Sequence, residues 1–386
     1  MIRRAGIFFF LLVVTSTLAA QDYRAVAKNT LSIAYAPGGI YKHTPELESL
    51  GSFRGGSLVL DWSRQTDSSS SWGFSHDHPA YGISLIYSFY EAPSLGYSLA
   101  IVPFIENTLP AARRIGFYYH LGLGLGYQSE VYDPLKNPDN LALSSHVNIA
   151  FDLRLGLALK VAEPLSVRVS GNLLHYSNGA SKLPNFGLNL AQLNFALSYH
   201  FPEKVYFTNE SIHERVRSLE WLAMAKFGLR QFEADGDYFG VQSLLLEANQ
   251  NLGQGNYLGV GWAFMNDAVY LEYEQWAGFW GDGNHAPEDF WSTLNFGPYL
   301  NYEFRINGFS AYLQTGVYLF SGPRTFTTEI DYGNGPFVHE TTLPDTQVFN
   351  RVGTRYRFSE RWVVDLGMKT HMFKAQNLEL GLGYRL

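Results

Sequence analysis

"HVNIAFDLRLGLALK", His146 to Lys160, is the stretch whose reading decides the fold. Val147, Ile149, Phe151, Leu153, Leu155, Leu157 and Leu159 occupy every second position, and Asn148, Asp152 and Arg154 stand between them. Successive side chains of a β-strand point to opposite faces, so this strand has one wholly apolar face and one that meets water or a polar interior. Strands of soluble sandwiches run to about 5–6 residues, whereas a lipid-facing barrel strand needs about 9–11. Length and the unbroken apolar face together point to an outer-membrane barrel.

The same period-two pattern recurs on both sides. Toward the N-terminus it predicts strands at Leu31–Ala36, Gly55–Arg64, Tyr81–Glu91, Leu95–Asn107 and Ile115–Glu130; toward the C-terminus it predicts Pro164–Ser177 and Leu188–Phe201. With His146–Lys160 these make eight, the smallest common barrel. Turn-rich runs such as "DSSSSWGFSHDHPAYG" and "VYDPLKNPDN" separate them. Pro202–Ser218 is polar, carries six charged residues and reads as a linker. Alternation then restarts at Leu219–Ala234, Tyr238–Asn251, Tyr257–Met265, Ser292–Arg305, Phe309–Phe320, Thr346–Phe358, Arg361–Met372 and Gln376–Leu386, with Val269–Trp276 as a further strand or insert. "LSYHF" closes the first set and "LGYRL" the second, as in a duplication. The expected architecture is an all-β, antiparallel outer-membrane β-barrel of two tandem eight-stranded units, residues 21–201 and 219–386, joined by the linker 202–218. One 16-stranded barrel is the alternative, disfavoured because periplasmic turns are short.

Composition agrees. Tyr (25), Phe (28), Trp (8) and Gly (37) are abundant, as aromatic girdles require. The N-terminal "MIRRAGIFFFLLVVTSTLAAQ" has basic, apolar and small-residue regions in the order of a secretory signal peptide, expected to end near Ala20. No later run of about 18 apolar residues predicts a membrane helix. The absence of cysteine excludes disulfides, a lipoprotein anchor and thiolate metal sites. Basic residues are not clustered and the net charge is −7, so nucleic acid is not an expected partner.

Chemistry is concentrated in "HYSNGASKLPNFGLN", His175 to Asn189. On the strand before it, Leu165, Val167, Val169, Gly171, Leu173, His175 and Ser177 share the apolar face; on the returning strand Asn189, Ala191, Leu193, Phe195, Leu197 and Tyr199 do. His175, Ser177 and Asn189 therefore stand on the outer wall at one end of two adjacent strands. With the N-terminus in the periplasm, the seventh strand ends outside the cell. From Leu165 to His175 is roughly 33 Å of strand, or ~23 Å of depth at a tilt of about 45°, close to the ~25 Å apolar band. His175 lands at the outer-leaflet boundary, where lipopolysaccharide acyl esters lie. There His175 is placed as general base for Ser177 Oγ, and Asn189 as acceptor from His175 Nδ1–H. Asn178 and Asn185 are candidate oxyanion donors. Polar residues at a rim and Asn, Gly and Pro in a loop also fit a plain hairpin.

This motif resembles that of the lipid A 3-O-deacylase (PagL-type) outer-membrane barrels and their acyloxyacyl hydrolase relatives. The family pattern is a His, a Ser two residues on, an Asn next, then Pro-Asn-x-Gly and an acid two beyond the Gly. Here it falls on His175, Ser177, Asn178, Pro184, Asn185, Gly187 and position 189. The resemblance implies an eight-stranded barrel with the site on its outer wall, lipid A or lipopolysaccharide of the outer leaflet as substrate, and a serine esterase needing neither cofactor nor metal. It implies location in the bacterial outer membrane. Position 189 departs, carrying Asn where the family usually has Glu; an amide orients imidazole but does not stabilise imidazolium by charge, and the analogous change in a serine protease costs about 10⁴ in rate. The alternative function is a non-catalytic, porin-like barrel with a vestigial site. The second half lacks the motif, since Met372 and Phe373 follow His371, and His371 lies on the polar, inward row. "SHDHP" (Ser75–Pro79) and the acidic "WGDGNHAPED" (Trp280–Asp289) are weak cation-binding patterns that read better as loops.

Overall fold

In the computed structural model, which describes residues 25–50, 54–66, 73, 76–109, 114–206, 218–271, 290–306, 308–322, 347–371 and 374–386, alternation has become two barrels. Strands β1 (Ala25–Ala27), β2 (Asn29–Ile40), β3 (Arg54–Gln65), β4 (Ala80–Tyr90), β5 (Tyr97–Leu109), β6 (Ile115–Gln128), β7 (Val147–Ala162), β8 (Leu165–Ser177) and β9 (Leu188–His200) come first. Then follow β10 (Lys204–Tyr206), β11 (Leu219–Gln231), β12 (Tyr238–Gly253), β13 (Asn256–Asp267), β14 (Leu294–Ile306), β15 (Phe309–Val317), β16 (Phe320–Ser321), β17 (Val348–Arg357), β18 (Trp362–His371) and β19 (Lys374–Arg385). The order β2 to β9 closes on itself, with β2 paired to β9 from Thr30↔His200 to Ile40↔Leu190. The second sheet closes through β13–β14 and β11–β19. All barrel pairings are antiparallel, and each barrel closes on its own eight strands. The single 16-stranded alternative is therefore not realised. The short strands β1 and β10 pair with each other outside both barrels.

The deciding stretch is β7, and its burial alternates along its first twelve residues as the sequence does: Val147, Leu155 and Leu157 are exposed, whereas Asp152 and Arg154 are buried. The exposed row faces lipid and the buried row fills the barrel. Interior charges are matched by hydrogen-bonded opposites, as burial demands. Arg154 Nη1 reaches Asp61 Oδ2 at 2.7 Å and Nη2 reaches Asp152 Oδ2 at 2.5 Å, while Arg168 Nη1 donates to Glu106 at 2.9 Å. The second interior repeats the device: Arg355 reaches Glu247 (2.6 Å), Glu303 (2.8 Å) and Asp365 (3.1 Å), and Lys226 reaches Asp365 (2.7 Å). Each interior is thus a packed polar core. At the outer end of the first barrel an apolar cap takes over, built from Leu47, Leu50, Leu95, Leu143, Leu174 and Leu188.

The expected signal peptide, residues 207–217 of the expected linker and Trp280–Asp289 lie outside the described residues. Of Val269–Trp276, residues 269–271 turn helically instead of continuing a strand, and the remainder is likewise outside. Among the described residues no helix is long and apolar enough to cross a membrane.

Candidate active site

Strands β8 and β9 pair with His175 directly opposite Asn189, and β7 sets Phe151 opposite His175 and Ile149 opposite Ser177. Register thus brings the imidazole and the amide together across the hairpin. His175 Nδ1 lies 2.7 Å from Asn189 Oδ1. The amide oxygen only accepts, so Nδ1 carries the proton and Nε2 keeps its lone pair. Inward neighbours Leu174 and Tyr176 are fully buried, which leaves His175 on the outer row as the face analysis requires.

Ser177 ends β8 and is 7 % exposed. Its Oγ accepts two hydrogen bonds, from Gly179 N–H at 3.0 Å and from Asn185 Nδ2 at 2.9 Å. Both acceptor sites being used, the hydroxyl proton is left to donate. No hydrogen bond joins Ser177 Oγ to His175 in this structure; the two share a face and an end of the strand. Apo catalytic contacts of this kind commonly tighten only with substrate present.

The two asparagines divide their tasks. Asn185 Nδ2 meets Ser177, and its Oδ1 accepts Asn178 N–H at 3.2 Å. Asn178 turns its own amide away, donating to Ser144 Oγ (3.1 Å) and Lys182 O (2.9 Å). It staples the loop and does not face Ser177. Gly187, at φ +78°, passes so close to the imidazole that an added Cβ would stand 2.8 Å from His175 Cε1. That approach and the left-handed backbone together require glycine.

One further residue belongs here. His43, exposed in the loop after β2, accepts from Asn189 Nδ2 through Nδ1 at 2.9 Å. Leu47 and Leu50, buried in the apolar cap, anchor the turn that follows it. Because β2 is paired with β9, barrel closure sets this loop beside Asn189, and Tyr41 N–H also bonds Asn189 O at 2.8 Å. No local pattern around His43 marks it; only the neighbouring of first and last strands would have found it. In the second barrel His371 is buried, with Nε2 2.8 Å from Tyr318 OH, and faces inward away from any lipid ester. At the "SHDHP" turn the carbonyls of Asp77 and His78 accept from Asn107 and Gln65. Among the described residues no group of three His, Asp or Glu is gathered as a metal site.

The family described as lipid A 3-O-deacylase (PagL) matches residues 56–198, and that described as acyloxyacyl hydrolase, C-terminal domain (PagL_C) matches residues 219–386. The chain belongs to the PagL family. As a PagL-family barrel it is a protein of the bacterial outer membrane. Comparison with curated proteins gives no match. Among solved structures, the outer membrane enzyme PagL is 22% identical, with 43% of this chain and 97% of that one covered and a TM-score of 0.32. Neisserial surface protein A (NspA) is 12% identical, with 46% and 99% covered and a TM-score of 0.33. The PagL motif residues all lie within the first matched segment, on β8, on β9 and in the loop between them.

Proposed function

We propose that the chain is a serine esterase that removes an acyl chain from lipid A in the outer leaflet. The observation that carries this reading is the 2.7 Å contact from His175 Nδ1 to Asn189 Oδ1 on the lipid-facing wall. It fixes the tautomer that a general base needs and fixes it beside a serine whose proton is uncommitted. A plain rim hairpin has no use for that tautomer.

In this reading the substrate enters sideways from the leaflet. Its ester carbonyl reaches Ser177 while its acyl chain stays against the apolar wall. Ser177 Oγ attacks the carbonyl carbon as His175 Nε2 takes the hydroxyl proton. The tetrahedral oxyanion draws on Asn185 Nδ2 and Gly179 N–H, the donors already at Ser177. Collapse breaks the bond to the sugar oxygen, which leaves as an alcohol with the proton from His175. Water, deprotonated by the same imidazole, then releases the fatty acid and restores Ser177. The ester at the sugar 3-position is the substrate that the PagL family name specifies.

Asn189 replaces a carboxylate, and His43 supplies what the amide lacks. An amide can present either its oxygen or its NH₂ to an imidazole. Presenting NH₂ would put the proton on Nε2 and silence the base. His43 Nδ1, accepting from Asn189 Nδ2, holds the oxygen toward His175. The test is mass spectrometry of lipid A from cells expressing the wild type, Ser177→Ala or His175→Ala. The wild type should yield lipid A lighter by one acyl chain, and both variants should yield intact lipid A while still inserting as heat-resistant barrels. An intact profile from the wild type, or a shortened one from Ser177→Ala, would sink the assignment.

A further inference from the structure

The loop that supplies both donors to Ser177 is gripped from two sides. On one side stands its own barrel: Phe186 N–H and Gly187 N–H bond Leu141 O (3.2 Å) and Ala142 O (2.9 Å), and Ser144 Oγ bonds Lys182 O (2.8 Å). On the other stands the second barrel. Gln231 Oε1, at the end of β11, accepts Leu183 N–H at 2.9 Å. Leu378 N–H, on β19, donates to Ser181 Oγ at 3.1 Å. Leu378 is free to do so because the β11–β19 ladder stops at Phe227↔Leu380, so its N–H lies past the last paired rung. In the first barrel the equivalent closing seam, β2–β9, runs on to Ile40↔Leu190. Side chains pack there too. A Cβ added to Gly179 would stand 2.8 Å from Leu378 Cδ2 and 3.4 Å from Met368 Sδ.

We infer that the second barrel completes the catalytic site: β11 and β19 clamp the 178–187 loop and hold its donors on Ser177 Oγ. This rests on the esterase reading and gives the second barrel a part in it. The need for a clamp is visible in the loop. Gly179 (φ 63°) and Ala180 (φ 60°) both sit in the left-handed region, which costs energy for alanine and is kept only where the surroundings impose it. Gly179 is itself an oxyanion donor. Ser181 and Leu183, whose atoms the second barrel holds, lie two residues beyond Gly179 and two before Asn185. Gln231 and Ser181 are thus positioning residues and touch no substrate. Here the clamping partner is covalently attached.

The experiment uses the full chain in outer-membrane vesicles and purified lipid A. Ser181→Ala and Gln231→Ala each remove one clamp bond, and the pair removes both. Each should lower kcat by about tenfold with KM nearly unchanged, the scale of one lost hydrogen bond felt in the transition state. The double variant should fall further. Ser181→Thr keeps the accepting oxygen and should restore the rate. Hydrogen–deuterium exchange, which does not depend on activity, should rise in residues 178–187 of the double variant and stay unchanged in β2–β9. A wild-type kcat in the double variant, beside an active wild type and an inactive Ser177→Ala, would overturn the clamp alone. Unchanged exchange in the loop would overturn it as well. An inactive wild type would remove the esterase reading and this inference with it.

Discussion

At Asn189 one atom decides the chemistry. A carboxylate offers oxygen to the imidazole in either orientation; an amide does so in only one. The 2.9 Å bond to His43 selects that one. His43→Ala should therefore lower kcat by about 10-fold or more, with the loss traced to the wrong tautomer of His175. Asn189→Glu should keep the rate at or above that of the wild type. In that background His43→Ala should cost little, because a carboxylate needs no second partner to face the ring. The double-mutant cycle on kcat checks this: equal losses from His43→Ala in both backgrounds would show that His43 only stabilises its loop. Asn185 has a more direct place, with Nδ2 at 2.9 Å from Ser177 Oγ. Removing one oxyanion donor costs about 10²–10³ in kcat, so Asn185→Ala should fall in that range. Asn178→Ala acts only through the loop it staples and should cost less.

Strands carry two opposite demands on alternate residues. On β7, Leu155 points to lipid and is 47 % exposed in the bare protein, while Arg154 beside it is buried against Asp61 and Asp152. The usual rule for substitutions is inverted accordingly. Leu155→Arg places a charge on the lipid face near mid-strand and should destabilise by about 2–4 kcal/mol. Arg154→Leu removes a charge from the interior, yet takes from Asp61 and Asp152 their nearest cation and should cost about 3–5 kcal/mol. Urea unfolding in lipid vesicles, followed by the loss of heat-modifiable mobility, measures both. If Arg154→Leu were neutral, the interior network would not be holding the barrel together. On the hairpin β8–β9 the register, His175 opposite Asn189, brings together two residues 14 apart in sequence.

The whole molecule is two filled barrels, with the proposed site on the outer wall of the first. Arg, Asp, Glu and Tyr side chains occupy both interiors, Lys226 and Lys369 join them in the second, and in the first barrel an apolar cap lies over them. Among the described residues both interiors are filled by side chains, so the purified protein in planar bilayers should give no stepwise ion conductance. Discrete openings would return the porin-like reading to consideration. A site on the outer wall also fits the proposed substrate: lipid A diffuses in the leaflet and needs no lumen. The tandem arrangement sets a second barrel against the catalytic loop at Gln231 and Leu378.

Strand number and the alternation of strand faces were legible because period-two patterning is local and lipid punishes any error in it. The sequence also named the motif, since its residues are consecutive on one hairpin. It left Val269–Trp276 open between a strand and an insert, because a short apolar run does not distinguish a strand from a helical turn. Three things only the tertiary structure decided. His43 meets Asn189 because closure makes the first and last strands neighbours, a contact across 146 residues. Asn178 and Asn185, alike in type and both in one loop, part company because one side chain faces Ser177 and the other Ser144 and Lys182. The second barrel reaches the site because its closing ladder ends early and leaves Leu378 N–H for Ser181. Each depends on where chain segments far apart in sequence are brought by closure and packing, and local alternation carries no record of that.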